Sequence, residues 1–176
     1  MSDVNKQQQR KELRRLASLR RDEDSVAVVE KLVVQLERFP NARIVSAYMA
    51  MPSEVDLRGL FGRIDKQWVF PRVRGEDLKF YRVKNIEEEM QLGAFGILEP
   101  KDDLEEVSVD AVDVFLCPGL GFDRKGGRLG RGRGFYDRML KHAKPDAVKI
   151  GVCFPFQIVE EIALESHDVL MDMVVG

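Results

Sequence analysis

The sequence predicts an α/β fold, a mostly parallel sheet with helices packed on its faces. Three observations carry this. Strand-like and helix-like segments alternate along the 176 residues. Several strand segments are apolar on both faces, as strands are when helices cover both sides of a sheet. The two sharpest features, Met51–Asp56 and Pro118–Asp137, each follow directly on such a strand, where doubly wound sheets bind ligands.

Taken in order, residues 4–21 contain no Gly or Pro and repeat Leu13, Leu16 and Leu19 at a three-residue step, which predicts a helix. Within Met1–Arg21 seven cations (Lys6, Arg10, Lys11, Arg14, Arg15, Arg20 and Arg21) face only Asp3 and Glu12. Asp22–Arg38 predicts a second, amphipathic helix through Val26, Val29, Leu32, Val33 and Leu36, ended by Pro40-Asn41. Arg43–Met51 reads as the first strand, broken at Met51-Pro52, and Asp56–Ile64 as a short helix. Trp68–Pro71 and Leu78–Val83 read as short strands around a turn at Arg74-Gly75. Lys84–Met90 is polar. Gly93–Pro100, with Phe95 in it, reads as a loop, and Lys101–Asp110 as a solvated acidic connection. Ala111–Cys117 is a buried strand, Gly134–His142 a helix, Lys149–Phe154 a strand, Gln157–Leu164 a helix and Met171–Val175 the last strand. The length suits one domain over residues 1–176.

Composition narrows the function classes. Apolar residues are 44% and charged residues 33%, with a formal net charge of −2. A dedicated nucleic-acid binder is usually basic overall, so that class is disfavoured. No apolar run approaches the ~18–20 residues that span a membrane. The polar, basic start does not read as a secretory signal. Cys117 and Cys153 sit in apolar runs without a CxxC or Cys/His cluster. They read as reduced core thiols of a cytoplasmic protein, not as zinc ligands.

The chemistry concentrates in Pro118–Asp137. Between Asp123 and Asp137 stand five glycines (126, 127, 130, 132 and 134) and five cations (Arg124, Lys125, Arg128, Arg131 and Arg133). Glycine at alternate positions lets backbone amides converge on one anion. Arginines add forked donors for phosphate oxygens, and the helix start adds its own amides. Asp137, about one turn into that helix, is a carboxylate where a phosphate-bound Mg²⁺ needs a ligand. The loop lacks the GK[ST] ending of a Walker A motif and the spacing of GxGxxG. Its glycine and like-charge density predict mobility without a ligand.

These residues also carry a family resemblance. Pro118–Arg138 resembles the signature of the 5-formyltetrahydrofolate cyclo-ligase (5,10-methenyltetrahydrofolate synthetase) family, roughly PGxxFDxxGxRLGxGxGYYDR. Arg10-x-x-Leu13-Arg14 resembles its basic K-x-x-L-R, and Met51–Asp56 its glutamate segment. Gly96-Ile97-Leu98-Glu99-Pro100 is similar to its G-I-x-E-P. Gly151–Val159 and His167-Asp168 are similar to its G-x-x-F-x-x-Q and H-D elements. The resemblance implies a three-layer α/β/α fold like that of sugar-phosphate isomerases and CoA transferases. It implies the reaction ATP + 5-formyltetrahydrofolate → 5,10-methenyltetrahydrofolate + ADP + phosphate, with ATP as co-substrate and Mg²⁺ as metal.

Carried over residue by residue, ATP falls to Arg10, Lys11, Arg14, Lys125 and the stretch Arg128, Leu129, Gly130, Arg131, Gly132, Arg133, Gly134, Phe135 and Tyr136. Folate falls to Met49, Glu54 and the middle of that stretch, Arg131, Gly132, Arg133, Gly134 and Phe135. Asp137 and Asp168 correspond to the magnesium carboxylates, and Glu54 to the folate-contacting glutamate. Arg131 and Arg133 stand at variable positions of the signature and make this copy more basic; as forked cations they are the choice for the transferring phosphate and complete the catalytic set with Glu54. Arg10 and Arg14, at i and i+4, share one helix face and can meet one polyphosphate. A register that uses Lys11 instead stays open. Arg10 stands where lysine is usual, and Phe135 where tyrosine is usual. The expected partner is 5-formyltetrahydrofolate, with or without a polyglutamate tail, for a monomer or weak homodimer that engages no nucleic acid and no membrane. Two other readings compete: another ATP- or phosphate-ester-using enzyme on the same fold, and a nucleic-acid-binding module built on the Arg/Gly loop.

Overall fold

The computed structural model describes residues 2–19, 25–93 and 96–176. Residues 20–24, at the junction of the two predicted helices, and Phe95 lie outside the described residues. Helix α1 (Ser2–Leu19) is followed by α2 (Ser25–Glu37), which buries Val28, Val29, Leu32 and Leu36. Each such burial contributes about 2 kcal/mol. Strand β1 (Ile44–Ser46) comes next, then a 3-10 turn at Leu57–Leu60. Strands β2 (Gln67–Arg74) and β3 (Asp77–Arg82) form an antiparallel hairpin whose turn uses Gly75 at φ +62°.

The polar middle of the chain is more structured than its composition predicts. It holds the short helix α3 (Ile86–Glu89), a small hairpin of β4 (Met90–Leu92) and β5 (Leu98–Pro100), and the strand β6 (Glu106–Val107). The acidic connection therefore supplies an edge strand, paired antiparallel to β3. Val107 is buried while Glu106 faces solvent and pairs with Lys79, an alternation too short to register in the sequence.

Strand β7 (Val114–Cys117) leads into β8 (Gly121–Asp123) and β9 (Arg128–Leu129), then α4 (Phe135–Leu140), β10 (Val148–Val152), β11 (Ile158–Val159) and β12 (Met173–Val175). The main sheet has seven strands in the order β12-β10-β7-β1-β2-β3-β6. Neighbours from β12 to β2 run parallel. Alternate residues feed opposite cores. Val114 and Leu116 join α2 on one face, while Phe115 and Cys117 join Met139 and Leu140 of α4 on the other. The mixed α/β expectation, with a large and mostly parallel sheet, holds.

After β1 the chain crosses to β2 on one side, and after β7 it crosses to β10 on the other. The gap between the carboxyl ends of β1 and β7 is thus the topological switch point of the sheet. Met49–Glu54 and Pro118–Arg131 lie at those two ends.

One predicted helix is absent. Gln157–Leu164 has helical spacing, yet Ile158–Val159 pair parallel with Phe122–Asp123. The cause is Gln157, 2% exposed. Its amide nitrogen donates to the Gly119 and Leu120 carbonyls, and its side-chain oxygen accepts from the Phe154 amide. Tertiary hydrogen bonds override local propensity here. Cys117 and Cys153 are free and buried, and burial pushes both thiols up to about 12.

Candidate active site

The glycine-rich segment divides into a rigid half and a ligand-facing half. The rigid half is the β8–β9 hairpin, organised by Asp123, 1% exposed. Its Oδ1 accepts from the Lys125 and Gly127 amides, and its Oδ2 from the Ile162 amide at 2.9 Å. A buried carboxylate that takes three backbone donors fixes a turn, and Asp123 does not line the cleft described below. Gly126, at φ +92°, passes directly over the Met171 carbonyl, so a β-carbon there has no room. Leu129 is buried with Leu13, Leu120 and Ile162, and Lys125 points away to Glu161. Neither side chain reaches the cleft described below.

The ligand-facing half is Gly130–Asp137. Gly132 and Gly134 take positive φ values of +109° and +66°, and Gly134 caps α4. This helix has only six residues, so its dipole adds less to an anion site than a longer helix would. The charge comes instead from Arg131 and Arg133.

A cleft of about 300 Å³ opens at the switch point. Its walls are apolar at Met49, Pro71, Val73, Ile97, Leu98 and Phe135, and charged at Glu54, Arg131 and Arg133. Glu54 is the hub. Its Oε1 accepts from Arg131 Nε at 3.1 Å and Nη2 at 3.0 Å, and its Oε2 from the Met51 amide at 3.0 Å. Arg131 Nη2 also donates to Ser53 Oγ at 2.9 Å. The pair ties the loop to the end of β1 across 77 residues of sequence. Arg131 thus links the glycine-rich loop to the carboxylate that the family resemblance assigns to folate.

Helix α1 lies along the rim. Arg10 Nε donates to the Gly130 carbonyl at 3.1 Å, and Arg14 Nη2 to the Arg131 carbonyl at 3.3 Å. Lys11 is exposed, on neither of these contacts. The i, i+4 face is therefore the one turned to the loop. The same face continues to Lys6, which the sequence offered only as one of seven cations. Lys6 is 3% exposed, and its ammonium donates to Asp168 Oδ2 at 2.5 Å and Glu165 Oε2 at 2.8 Å. Burial alone would lower its pKa, but these two carboxylates outweigh burial and hold it above the ordinary lysine value. Gln9 adds two bonds to the same segment, donating to the Glu161 carbonyl and accepting from the Ala163 amide.

The two expected metal carboxylates are neighbours, because the Val169 amide donates to Asp137 Oδ1 at 3.3 Å. Each already has a buried cation. Arg128 Nη2 pairs with Asp137 Oδ2 at 2.9 Å, and Lys6 pairs with Asp168. Arg128 is 6% exposed, with its guanidinium 5.4 Å from the Tyr136 ring centre. It therefore reaches the cleft as part of its frame. Among the described residues, the carboxylate and imidazole atoms close enough to share one ion are those of Glu165, His167 and Asp168, within 4.8 Å of one another.

The sequence model of the 5-formyltetrahydrofolate cyclo-ligase family matches residues 3–176. The 5-formyltetrahydrofolate cyclo-ligase of Mus musculus is 30% identical, over 92% of this chain and 86% of its own. That of Mycolicibacterium smegmatis is 46% identical over 78 residues, 44% of this chain and 40% of its own. The solved 5,10-methenyltetrahydrofolate synthetase of Aquifex aeolicus superposes with a TM-score of 0.80 at 33% identity, covering 97% of this chain and 88% of that one. The synthetase from Mycoplasma pneumoniae, at 21% identity and a TM-score of 0.73 over 99% of this chain and 97% of its own, shares the fold.

Proposed function

The chain belongs to the 5-formyltetrahydrofolate cyclo-ligase family, and from that premise we propose that it converts 5-formyltetrahydrofolate and ATP into 5,10-methenyltetrahydrofolate, ADP and phosphate in the switch-point cleft. The observation that carries the reading is the Glu54–Arg131 pair, which joins a phosphate-type loop to a carboxylate at the end of an apolar cleft.

The formyl oxygen attacks the γ-phosphorus and ADP leaves, giving an imidate phosphate. N10 then attacks the formyl carbon, gives up its proton, and phosphate departs as the ring closes. Arg131 and Arg133 neutralise charge on the transferring phosphoryl group, and the amides of Gly130, Gly132 and Gly134 orient it. Glu54 accepts the N10 proton. Met49 and Phe135 flank the folate in the apolar part, and Arg10 and Arg14 hold the remaining phosphates from α1. Tyr136 and Arg128 shape the floor, and Lys125 and Leu129 act through the hairpin they belong to.

Magnesium accompanies ATP in this reading. Asp168 fits it through hard carboxylate oxygen beside Glu165, with the Lys6 ammonium confined to its Oδ2. Asp137 fits less well, because both of its oxygens are engaged. When bound, the ion supplies positive charge to the phosphate oxygens.

Mixing the protein with Mg-ATP and 5-formyltetrahydrofolate should generate the absorbance of the methenyl product. Folded protein that produces none sinks the assignment. The orientation of α1 also separates its cations. Arg10→Gln and Arg14→Gln should each raise KM for ATP about tenfold, the scale of one charge-assisted hydrogen bond, whereas Lys11→Gln should stay within about twofold. The reverse pattern in steady-state kinetics would restore the Lys11 register.

A further inference from the structure

Tyr48 lies just past β1 on the same segment as Glu54. Its side chain is 3% exposed, yet it lines the cleft. Its hydroxyl is buried and makes no hydrogen bond to any described residue. A buried hydroxyl without a partner is costly, and native structures rarely leave one so. Two other buried polar atoms share this condition, and neither points the same way. Ser46 Oγ is inside the sheet and not at the cleft. Arg128 Nε belongs to a guanidinium already committed to Asp137. Of these three residues Tyr48 and Arg128 line the cleft, and of those two only Tyr48 has its polar side-chain group otherwise uncommitted.

We propose that the Tyr48 hydroxyl is a further substrate-binding group, which donates a hydrogen bond to an acceptor atom on the bicyclic ring system of the bound folate. This rests on the reading of the cleft as the folate site and adds a residue to it. Glu54 can only accept and Tyr48 is free to donate. With Glu54 engaged on N10–H, the Tyr48 hydroxyl matches a carbonyl or ring nitrogen of the bicycle. Such a site rejects analogues that lack either atom, because a buried polar group is then left unpaired. The phenol stays protonated for this task. Burial, and after it the charge of Glu54, pushes its pKa well above the ordinary tyrosine value.

The test is Tyr48→Phe, which removes one oxygen and leaves the ring packing intact. Binding of 5-formyltetrahydrofolate is measured calorimetrically without ATP, and thermal stability of the free protein is measured alongside. Kd should rise about tenfold, the equivalent of about 1.4 kcal/mol. The melting temperature should hold or rise, since the variant buries one unpaired group fewer. An unchanged Kd overturns the proposal while leaving the folate reading standing. A fall in melting temperature of several degrees also overturns it, since the hydroxyl then has a partner inside the protein. If the wild-type protein binds no 5-formyltetrahydrofolate, the proposal and the folate reading fall together.

Discussion

Glu54→Gln should lower kcat/KM for 5-formyltetrahydrofolate by about a hundred- to ten-thousand-fold, the range spanned by loss of a positioned proton acceptor. The argument starts from the three donors that meet this carboxylate, Arg131 Nε and Nη2 on one oxygen and the Met51 amide on the other. A glutamine has one oxygen and one NH₂ group. Whichever way the amide turns, it faces a donor with a donor. The variant should therefore lose stability too, by about 1–2 kcal/mol, or roughly 2–8 °C in a chain of this size. That loss leaves the protein folded in the assay. The kinetic loss is larger because the carboxylate does two things at once, taking the N10 proton and aiming Arg131 at the phosphoryl group. A double variant separates these tasks. On an Arg131→Lys background, Glu54→Gln should still cost at least tenfold, because proton acceptance survives loss of the pair. If the second change adds nothing, Glu54 serves only to hold Arg131. Unchanged turnover in Glu54→Gln alone rejects the role outright.

That pair also marks the boundary between what could be read in the sequence and what could not. The buried strand Val114–Cys117 followed at once by glycines and arginines announced a ligand loop, because no packing need explains that composition. Glu54 and Arg131 were each found as candidates. Their contact was not, since nothing local links residues 77 apart. Asp123 stood in plain view within the signature and received no role. Its D-x-x-x-G spacing to Gly127 was the available sign of a carboxylate that closes a turn. Edge strand Glu106–Val107 escaped because two residues carry no period, and the helix predicted over Gln157–Leu164 failed because one buried glutamine outbids a propensity worth only tenths of a kcal/mol per residue. Lys6 was invisible for the opposite reason. It is one of seven cations in the segment Met1–Arg21, and solvated charge is the ordinary fate of such residues.

Lys6 carries the second large effect. Replacing it by methionine keeps an unbranched stem of nearly the same reach and leaves Asp168, whose side chain is 8% exposed, without its cation. Breaking a buried pair in this way costs about 3 kcal/mol, or roughly 6–12 °C of melting temperature for a protein of this length. The loss falls on the docking of α1, which bears Arg10 and Arg14, so KM for ATP should rise with it. The dependence on pH has a definite sign. Burial would raise the Asp168 carboxyl, but the hydrogen bonds from Lys6 and the Glu165 amide hold it below its ordinary value, and Lys6 does the same to Glu165. Stability from carboxyls depressed in the folded state is present above their unfolded values, about 4, and disappears as pH falls through the folded ones. The raised Lys6 keeps its share up to the unfolded lysine value, about 10.4. The gap in melting temperature between wild type and Lys6→Met should therefore be full at pH 7 and close toward pH 3. Lys6→Met/Asp168→Leu removes the stranded charge and should recover much of the lost stability, as apolar replacement of a buried pair does. It should not recover turnover if Asp168 also serves the metal. A gap that stays constant from pH 7 to pH 3 would show that Lys6 holds α1 by packing and not by charge.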